Sequence, residues 1–114
     1  MSPDSPLDIR IESEPDLIVL LLRGEVDLGS TPELEAALND AFASGKGVIV
    51  DISDLRYMDS TGIRALHRVA DAGPIAIVMS PKSLLARAIR LGGLEQLIPI
   101  FDERISASAY LRSR

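Results

Sequence analysis

The chain has 114 residues, with 12 Lys+Arg against 17 Asp+Glu, one His, no Cys and a hydrophobic fraction of 46%. That length suits one domain with its own core, and the lack of cysteine excludes a disulfide framework, a thiol nucleophile and any Cys-ligated metal. A net charge of −5 argues against nucleic acid, whose binding rests on clustered Lys and Arg.

Leu7-Asp8-Ile9-Arg10-Ile11-Glu12 alternates apolar and polar residues, the pattern of a half-buried strand. After the turn signal Glu14-Pro15-Asp16, the run Leu17 to Leu22 is continuously apolar, which suits a strand buried on both faces and predicts a hairpin with the first. The run is six residues long, far short of the roughly 20 that a spanning helix needs. Gly24-Glu25-Val26-Asp27 follows, then a helix expected to be capped by Thr31 with Pro32 as its first residue. Leu34, Leu38, Ala41 and Phe42 form one face of that helix, which is expected to stop near Gly45. Val48-Ile49-Val50 reads as a short interior strand ending at Asp51, and Asp51 to Asp59 reads as polar and irregular.

From about Ser60, residues Ile63, Leu66 and Ala70 give a second helical stripe, closed by Gly73-Pro74. Ile75 to Met79 predicts another buried strand. Ser80-Pro81 predicts the start of a helix carrying Leu84, Leu85, Ala88 and Leu91 and ended by Gly92-Gly93. A strand over Leu97 to Ile100 and a helix from Asp102 to about Arg112 complete the chain. The order β-β-α-β-α-β-α-β-α implies one α/β domain: a four- to five-stranded, mostly parallel sheet with an antiparallel N-terminal hairpin and about four helices. Residues 1–6 are expected to be a loose tail. The N-terminus shows no basic region followed by an apolar stretch, so no export signal is expected, and the location expected is cytoplasmic.

The common catalytic templates are missing. There is no G-x-G-x-x-G after a strand, no phosphate-binding G-x-x-x-x-G-K-[ST], no G-x-S-x-G and no H-E-x-x-H. His67 lies two helical turns, roughly 10 Å, beyond Ser60, too far to serve as its base. The lone histidine reads as a surface or boundary residue. No cofactor or metal is expected, and no enzyme activity.

What remains is Asp54 to Ile63, a segment that follows an interior strand and runs into a helix N-terminus. Ligands and modifications of open α/β sheets act at the carboxyl ends of the strands. First-turn N–H groups there lack intrahelical partners and sit at the positive end of the helix dipole. A hydroxyl at Ser60 or Thr61 has two readings, a helix cap or a phosphoacceptor. A phosphate on Ser60 is expected to find those N–H donors, with Arg64 one turn further on the same face as its counter-charge. Arg64 and His67 otherwise read as a solvated helix face. Tyr57 and Met58 read either as loop-edge core or as an exposed anchor.

These residues also resemble a known family. Met58-Asp59-Ser60-Thr61-Gly62 is similar to the signature of STAS domains, specifically of bacterial anti-sigma factor antagonists. Gly24-Glu25-Val26-Asp27, Asp51-Ile52-Ser53-Asp54-Leu55, Leu91-Gly92-Gly93-Leu94 and Ile98-Pro99-Ile100-Phe101 resemble further segments of that family, in order along nearly the whole chain. The resemblance implies a STAS-like fold and a switch rather than an enzyme. In its unphosphorylated form such an antagonist binds an anti-sigma factor that is also a GHKL-type serine kinase, freeing the sigma factor. Phosphorylation releases the complex, and a PP2C-type phosphatase resets it. Carried over, Ser60 is the phosphoacceptor, Asp27 and Asp59 flank it, and Thr61 and Gly62 shape the start of the helix. The alternative is a STAS subunit of a transport or scaffold complex that is not phosphorylated. A small nucleotide-binding enzyme on this fold would need a phosphate loop and a base that the sequence lacks.

Overall fold

The computed structural model describes residues 6–114. Five strands form one mixed sheet in the spatial order β1-β2-β3-β4-β5. These are β1 (Leu7–Ser13), β2 (Leu17–Val26), β3 (Gly47–Met58), β4 (Ile75–Val78) and β5 (Ile100–Phe101). The β1–β2 hairpin is antiparallel and every other pairing is parallel. Four α-helices, α1 (Thr31–Ala43), α2 (Ser60–Val69), α3 (Ala86–Leu91) and α4 (Arg104–Arg112), alternate with the strands, and Leu94–Gln96 forms a 3₁₀ turn. The mixed sheet, the hairpin and the helix number agree with the sequence expectation. The tail expected over residues 1–6 lies, for residues 1–5, outside the described residues, whereas the Pro6 carbonyl accepts a hydrogen bond from the Glu25 N–H at 3.0 Å.

The sheet is covered unequally on its two faces. Leu34 and Leu38 of α1, Ala65 and Leu66 of α2 and Ile89 of α3 pack against Leu20, Leu22, Val48, Val50 and Ile77. On the other face α4 alone, through Ala107 and Leu111, meets Leu17, Val19, Ile49, Ala76 and Val78. Fully burying an aliphatic side chain of this size contributes about 1.5–3 kcal/mol, so β2, β3 and β4, apolar on both faces, anchor the fold.

Three expectations need correction. The segment Asp51–Met58 is the second half of β3, not an irregular loop. It pairs with Arg23 to Val26 of β2, and register shifts between Leu21 and Arg23 and between Gly24 and Glu25 leave β3 with extra, bulged residues. Each bulge adds a residue, so the buried side chains fall at Ile52, Leu55 and Met58, a spacing of three that hides the period of two. Gly24 makes the bend possible: its φ is +96° and a Cβ there would stand 2.1 Å from the Pro6 carbonyl oxygen, so only glycine fits.

The third helix begins at Ala86, not at Ser80. The Ser80 and Ser83 hydroxyls accept the N–H groups of Lys82 and Leu85, holding the chain in turns that compete with the helix. Of the expected stripe only Leu85 is buried, with Ile89 beside it in the core, while Leu84 and Leu91 are exposed. The last strand is Ile100–Phe101, not Leu97 to Ile100, because Leu94–Gln96 turns first.

Candidate functional site

Two helices start at the carboxyl ends of adjacent strands, α1 after β2 and α2 after β3. Asp59 sits at the N-cap of α2 in extended conformation, and its carboxylate accepts the N–H groups of Thr61 at 2.9 Å and Gly62 at 3.3 Å. The same oxygen accepts the Thr61 hydroxyl at 2.5 Å, and the Asp59 N–H donates to the Val26 carbonyl at 3.0 Å. The Thr61 hydroxyl, opposed by partial burial, holds the Asp59 carboxyl below the usual carboxylate range, and the N–H groups of Gly62, Thr61 and Leu28 add to the effect.

Asp27 organises the neighbouring loop in the same manner. Its carboxylate accepts the Ser30 N–H at 3.0 Å, its own N–H donates to the Ser30 hydroxyl at 2.9 Å, and its carbonyl accepts the Thr31 hydroxyl at 2.7 Å. Thr31 is therefore not the expected N-cap: it is the first residue of α1, and Ser30 at the N-cap position makes no side-chain cap bond. The Thr31 and Thr61 hydroxyls touch at 2.8 Å. Two hydroxyl protons thus serve contacts that end on a carbonyl and a carboxylate. Thr61 gives its proton to Asp59, which leaves the Thr31 proton shared between the Asp27 carbonyl and Thr61 Oγ1. Of Ser30 and Thr31, the buried polar side chains among the described residues, Ser30 holds the Asp27 loop and Thr31 locks the two helix starts together. Sequence reasoning missed this role: Ser30-Thr31-Pro32 signals a helix start, but nothing in it signals a bond to Thr61, thirty residues away.

Ser60, the first residue of α2, is exposed, and its hydroxyl makes no hydrogen bond among the described residues. Gly62 is buried against Val26 and Met58. Arg64 is exposed and has no ion-pair partner among the described residues. The structure thus brings Asp27, Asp59, Ser60, Thr61 and Gly62 to one end of the sheet, with Arg64 one turn further along α2. It corrects one expectation about them: the N–H groups of Thr61 and Gly62 are occupied by Asp59 and are not open to a phosphate on Ser60. Met58 is core, while Tyr57 is 49% exposed. His67 Nε2 donates to the Gly92 carbonyl at 3.1 Å, which ties α2 to the end of α3. Leu28, at the tip of the Asp27 loop, is 75% exposed.

Asp59→Asn keeps a capping acceptor and removes the charge. Because the folded carboxyl titrates below its unfolded value, its ionised form contributes stability that is present above the unfolded value and is lost as the pH falls through the folded one. Melting curves of both proteins from pH 3 to 7 are expected to show a gap in favour of wild type that is constant above about pH 5 and narrows as the pH falls below about 4. A gap of the same size at pH 3 as at pH 6 would show that the charge is not the cause.

No helix among the described residues is long and apolar enough to cross a membrane. The STAS domain family matches residues 8–107. Anti-sigma-F factor antagonist RsfB of Mycobacterium tuberculosis is 25% identical over 105 residues, covering 89% of this chain and 85% of that protein. The crystal structure of an anti-sigma factor antagonist from Mycobacterium paratuberculosis superposes with a TM-score of 0.85 at 23% identity, over 97% of each chain. The anti-sigma factor antagonist SpoIIAA in its unphosphorylated form gives 0.74 at 16% identity, over 94% of this chain and 98% of that one. These relatives are named for antagonising anti-sigma factors, not for a reaction.

Proposed function

The chain belongs to the STAS domain family, and from that premise we propose that it is an anti-sigma factor antagonist switched by phosphorylation at Ser60. In this reading the unphosphorylated protein binds an anti-sigma factor that is also a GHKL-type serine kinase and frees the sigma factor. The kinase then transfers the γ-phosphoryl group of Mg-ATP to Ser60 Oγ: the Oγ–P bond forms, the bond to the β-γ bridging oxygen breaks, ADP leaves, and the hydroxyl proton passes to a base of the kinase. A PP2C-type phosphatase restores the hydroxyl by hydrolysis. The action takes place in the cytoplasm, where sigma factors work.

The observation that carries this reading is the Ser60 hydroxyl itself, exposed and without a hydrogen bond among the described residues while its neighbours Asp59 and Thr61 are bonded into the fold. A hydroxyl needed as a cap would be bonded; this one is presented. Asp59 supplies the cap, so Ser60 can gain a phosphate without unravelling α2. The added charge of roughly −1.5 to −2 lies next to an ionised carboxylate whose donors are already taken, so it projects outward onto the surface that a partner would cover. Exposed Leu28 beside Asp59 supplies apolar contact there, and Arg64 a counter-charge on the same helix face.

The test is intact mass after incubation with candidate GHKL-type kinases of the same genome and Mg-ATP, followed by peptide mapping. One phosphoryl increment on Ser60, absent from Ser60→Ala, is the expected result. A stable complex without any increment would replace the switch by a constitutive binding module, such as a STAS subunit of a transport or scaffold complex.

A further inference from the structure

β1 is one edge of the sheet, and two hydrogen bonds at its ends fix which residues turn outward. The Pro6 carbonyl accepts the Glu25 N–H, and the Glu14 N–H donates to the Leu17 carbonyl. Both lie at even positions. Backbone groups alternate along an antiparallel pair, so the even residues of β1 face β2, while Ile9, Ile11 and Ser13 turn their N–H and C=O groups to the open edge. Ile11 is 58% exposed. With Ile9, Glu33, Ala36, Ala37 and Asp40 it lines a groove of about 260 Å³ between β1 and α1. Glu33 Oε2 is buried and lacks a hydrogen-bond partner among the described residues.

Open edges are commonly blunted by charges that repel a second strand. Here Asp8, Arg10 and Glu12 alternate in sign along one face of β1, so the strand is complementary to an inverted copy of itself. With Ile11 on a two-fold axis, Ile11 stands opposite Ile11, Arg10 opposite Glu12 twice, Ile9 opposite Ser13, and Asp8 opposite Glu14, whose carboxylate is already held by Arg112. Placing Arg10 on the axis instead sets Arg10 against Arg10 and Asp8 against Glu12, which is repulsive. Placing Ile9 there pairs Asp8 with Arg10 but offers Glu33 only apolar neighbours. The Ile11 register brings the second copy's Ser13 hydroxyl to the side of Ile9 where Glu33 lies. That hydroxyl accepts a hydrogen bond from Lys46 Nζ at 3.0 Å, so its proton is uncommitted and available to Glu33. Arg10 has no ion pair among the described residues to give up, and Glu12 already shares its carboxylate with Arg104. Asp40, exposed on the groove's rim, keeps its hydration.

We propose that the β1 edge is a self-association surface on which a second copy of this chain pairs antiparallel about Ile11, joining two five-stranded sheets into one. The partner switch does not depend on it: Ser60 follows β3, two strands away from the edge, so the dimer presents two open Ser60 sites.

Because the chain has no cysteine, Ile11→Cys supplies a single thiol on the axis. With diamide as oxidant, two thiols form one disulfide and pass two electrons and two protons to the N=N bond. Ile11→Cys is expected to convert mostly to disulfide dimer, at least tenfold faster than Ile105→Cys, a still more exposed position on α4. Arg10→Glu, which sets like charges opposite each other twice, is expected to remove that advantage. Light scattering of the wild type is expected to show a mass rising toward the dimer with concentration, and Arg10→Glu is expected to stay monomeric. A wild type that remains monomeric at millimolar concentration, with equal cross-linking at both positions, would overturn the proposal. Preferential cross-linking of Ile9→Cys, or persistence of the Ile11→Cys dimer with Arg10→Glu, would overturn the register.

Discussion

Gly62→Val is expected to lower the melting temperature of the protein by about 12 °C. A Cβ at Gly62 would lie 2.7 Å from Met58 Cγ and 2.8 Å from Val26 Cγ1, distances that real Cβ atoms do not adopt. Both neighbours are buried at the ends of strands, and they cannot swing into solvent without opening the core. Overpacking by one methyl group costs about 1–3 kcal/mol, and valine adds two further carbons, so about 3 kcal/mol is the expected loss. At roughly 4 °C per kcal/mol for a chain of this size, that gives the stated shift. Met58→Ala in the Gly62→Ala background should recover part of the loss, so the pair is expected to be strongly non-additive. A Gly62→Val protein melting within about 2 °C of wild type would mean that α2 slides outward at no cost, and the account of Gly62 as a packing requirement would fall.

The start of α2 was legible from the sequence while some of its surroundings were not. Asp59-Ser60-Thr61-Gly62 is local, and consecutive residues mark a helix start there, but the sequence reading put the cap on the Ser60 or Thr61 hydroxyl, whereas the Asp59 carboxylate supplies it. The opening hairpin was legible for a similar reason, since Leu7 to Glu12 and Leu17 to Leu22 carry their period openly. The second half of β3 was not, because its bulges against β2 shift Ile52, Leu55 and Met58 off the alternation. Ser80 and Ser83 likewise read as helix-start residues, and only the structure shows their hydroxyls diverting N–H groups into turns. The bond between Thr31 and Thr61 is a tertiary fact without a local sign. What makes the site one unit, the locking of two helix starts, therefore lay beyond reach of motif and period. The sequence reading also placed a phosphate on N–H donors that Asp59 occupies, because spacing alone does not say which acceptor arrives first.

Substitutions at Ser60 are expected to separate binding from stability. The hydroxyl bonds to nothing among the described residues, so Ser60→Ala should melt within about 1–2 °C of wild type, as an exposed substitution away from any cap or core contact does. It should also bind the anti-sigma factor as tightly as the unphosphorylated wild type, and no incubation with kinase should release it. Ser60→Asp places one charge beside Asp59, with the N–H groups of Thr61 and Gly62 already spent on Asp59. In a covered interface the residue on its own helix face to meet that charge is Arg64, one turn further along α2. A charge desolvated without full pairing costs several kcal/mol, and each 1.4 kcal/mol is a factor of ten in affinity. Ser60→Asp is therefore expected to weaken the complex at least tenfold in a calorimetric titration. The phosphorylated wild type, with more charge and more oxygens to desolvate, should be weakened about a hundredfold or more. If Ser60→Asp and the phosphorylated protein bind as tightly as Ser60→Ala, the partner does not cover Ser60, and the hydroxyl is presented for some other purpose. If Ser60→Ala itself loses affinity, the hydroxyl is a contact rather than a switch: the anti-sigma factor would then be reading the Ser60 oxygen directly, and phosphorylation would act by removing a donor instead of adding a charge.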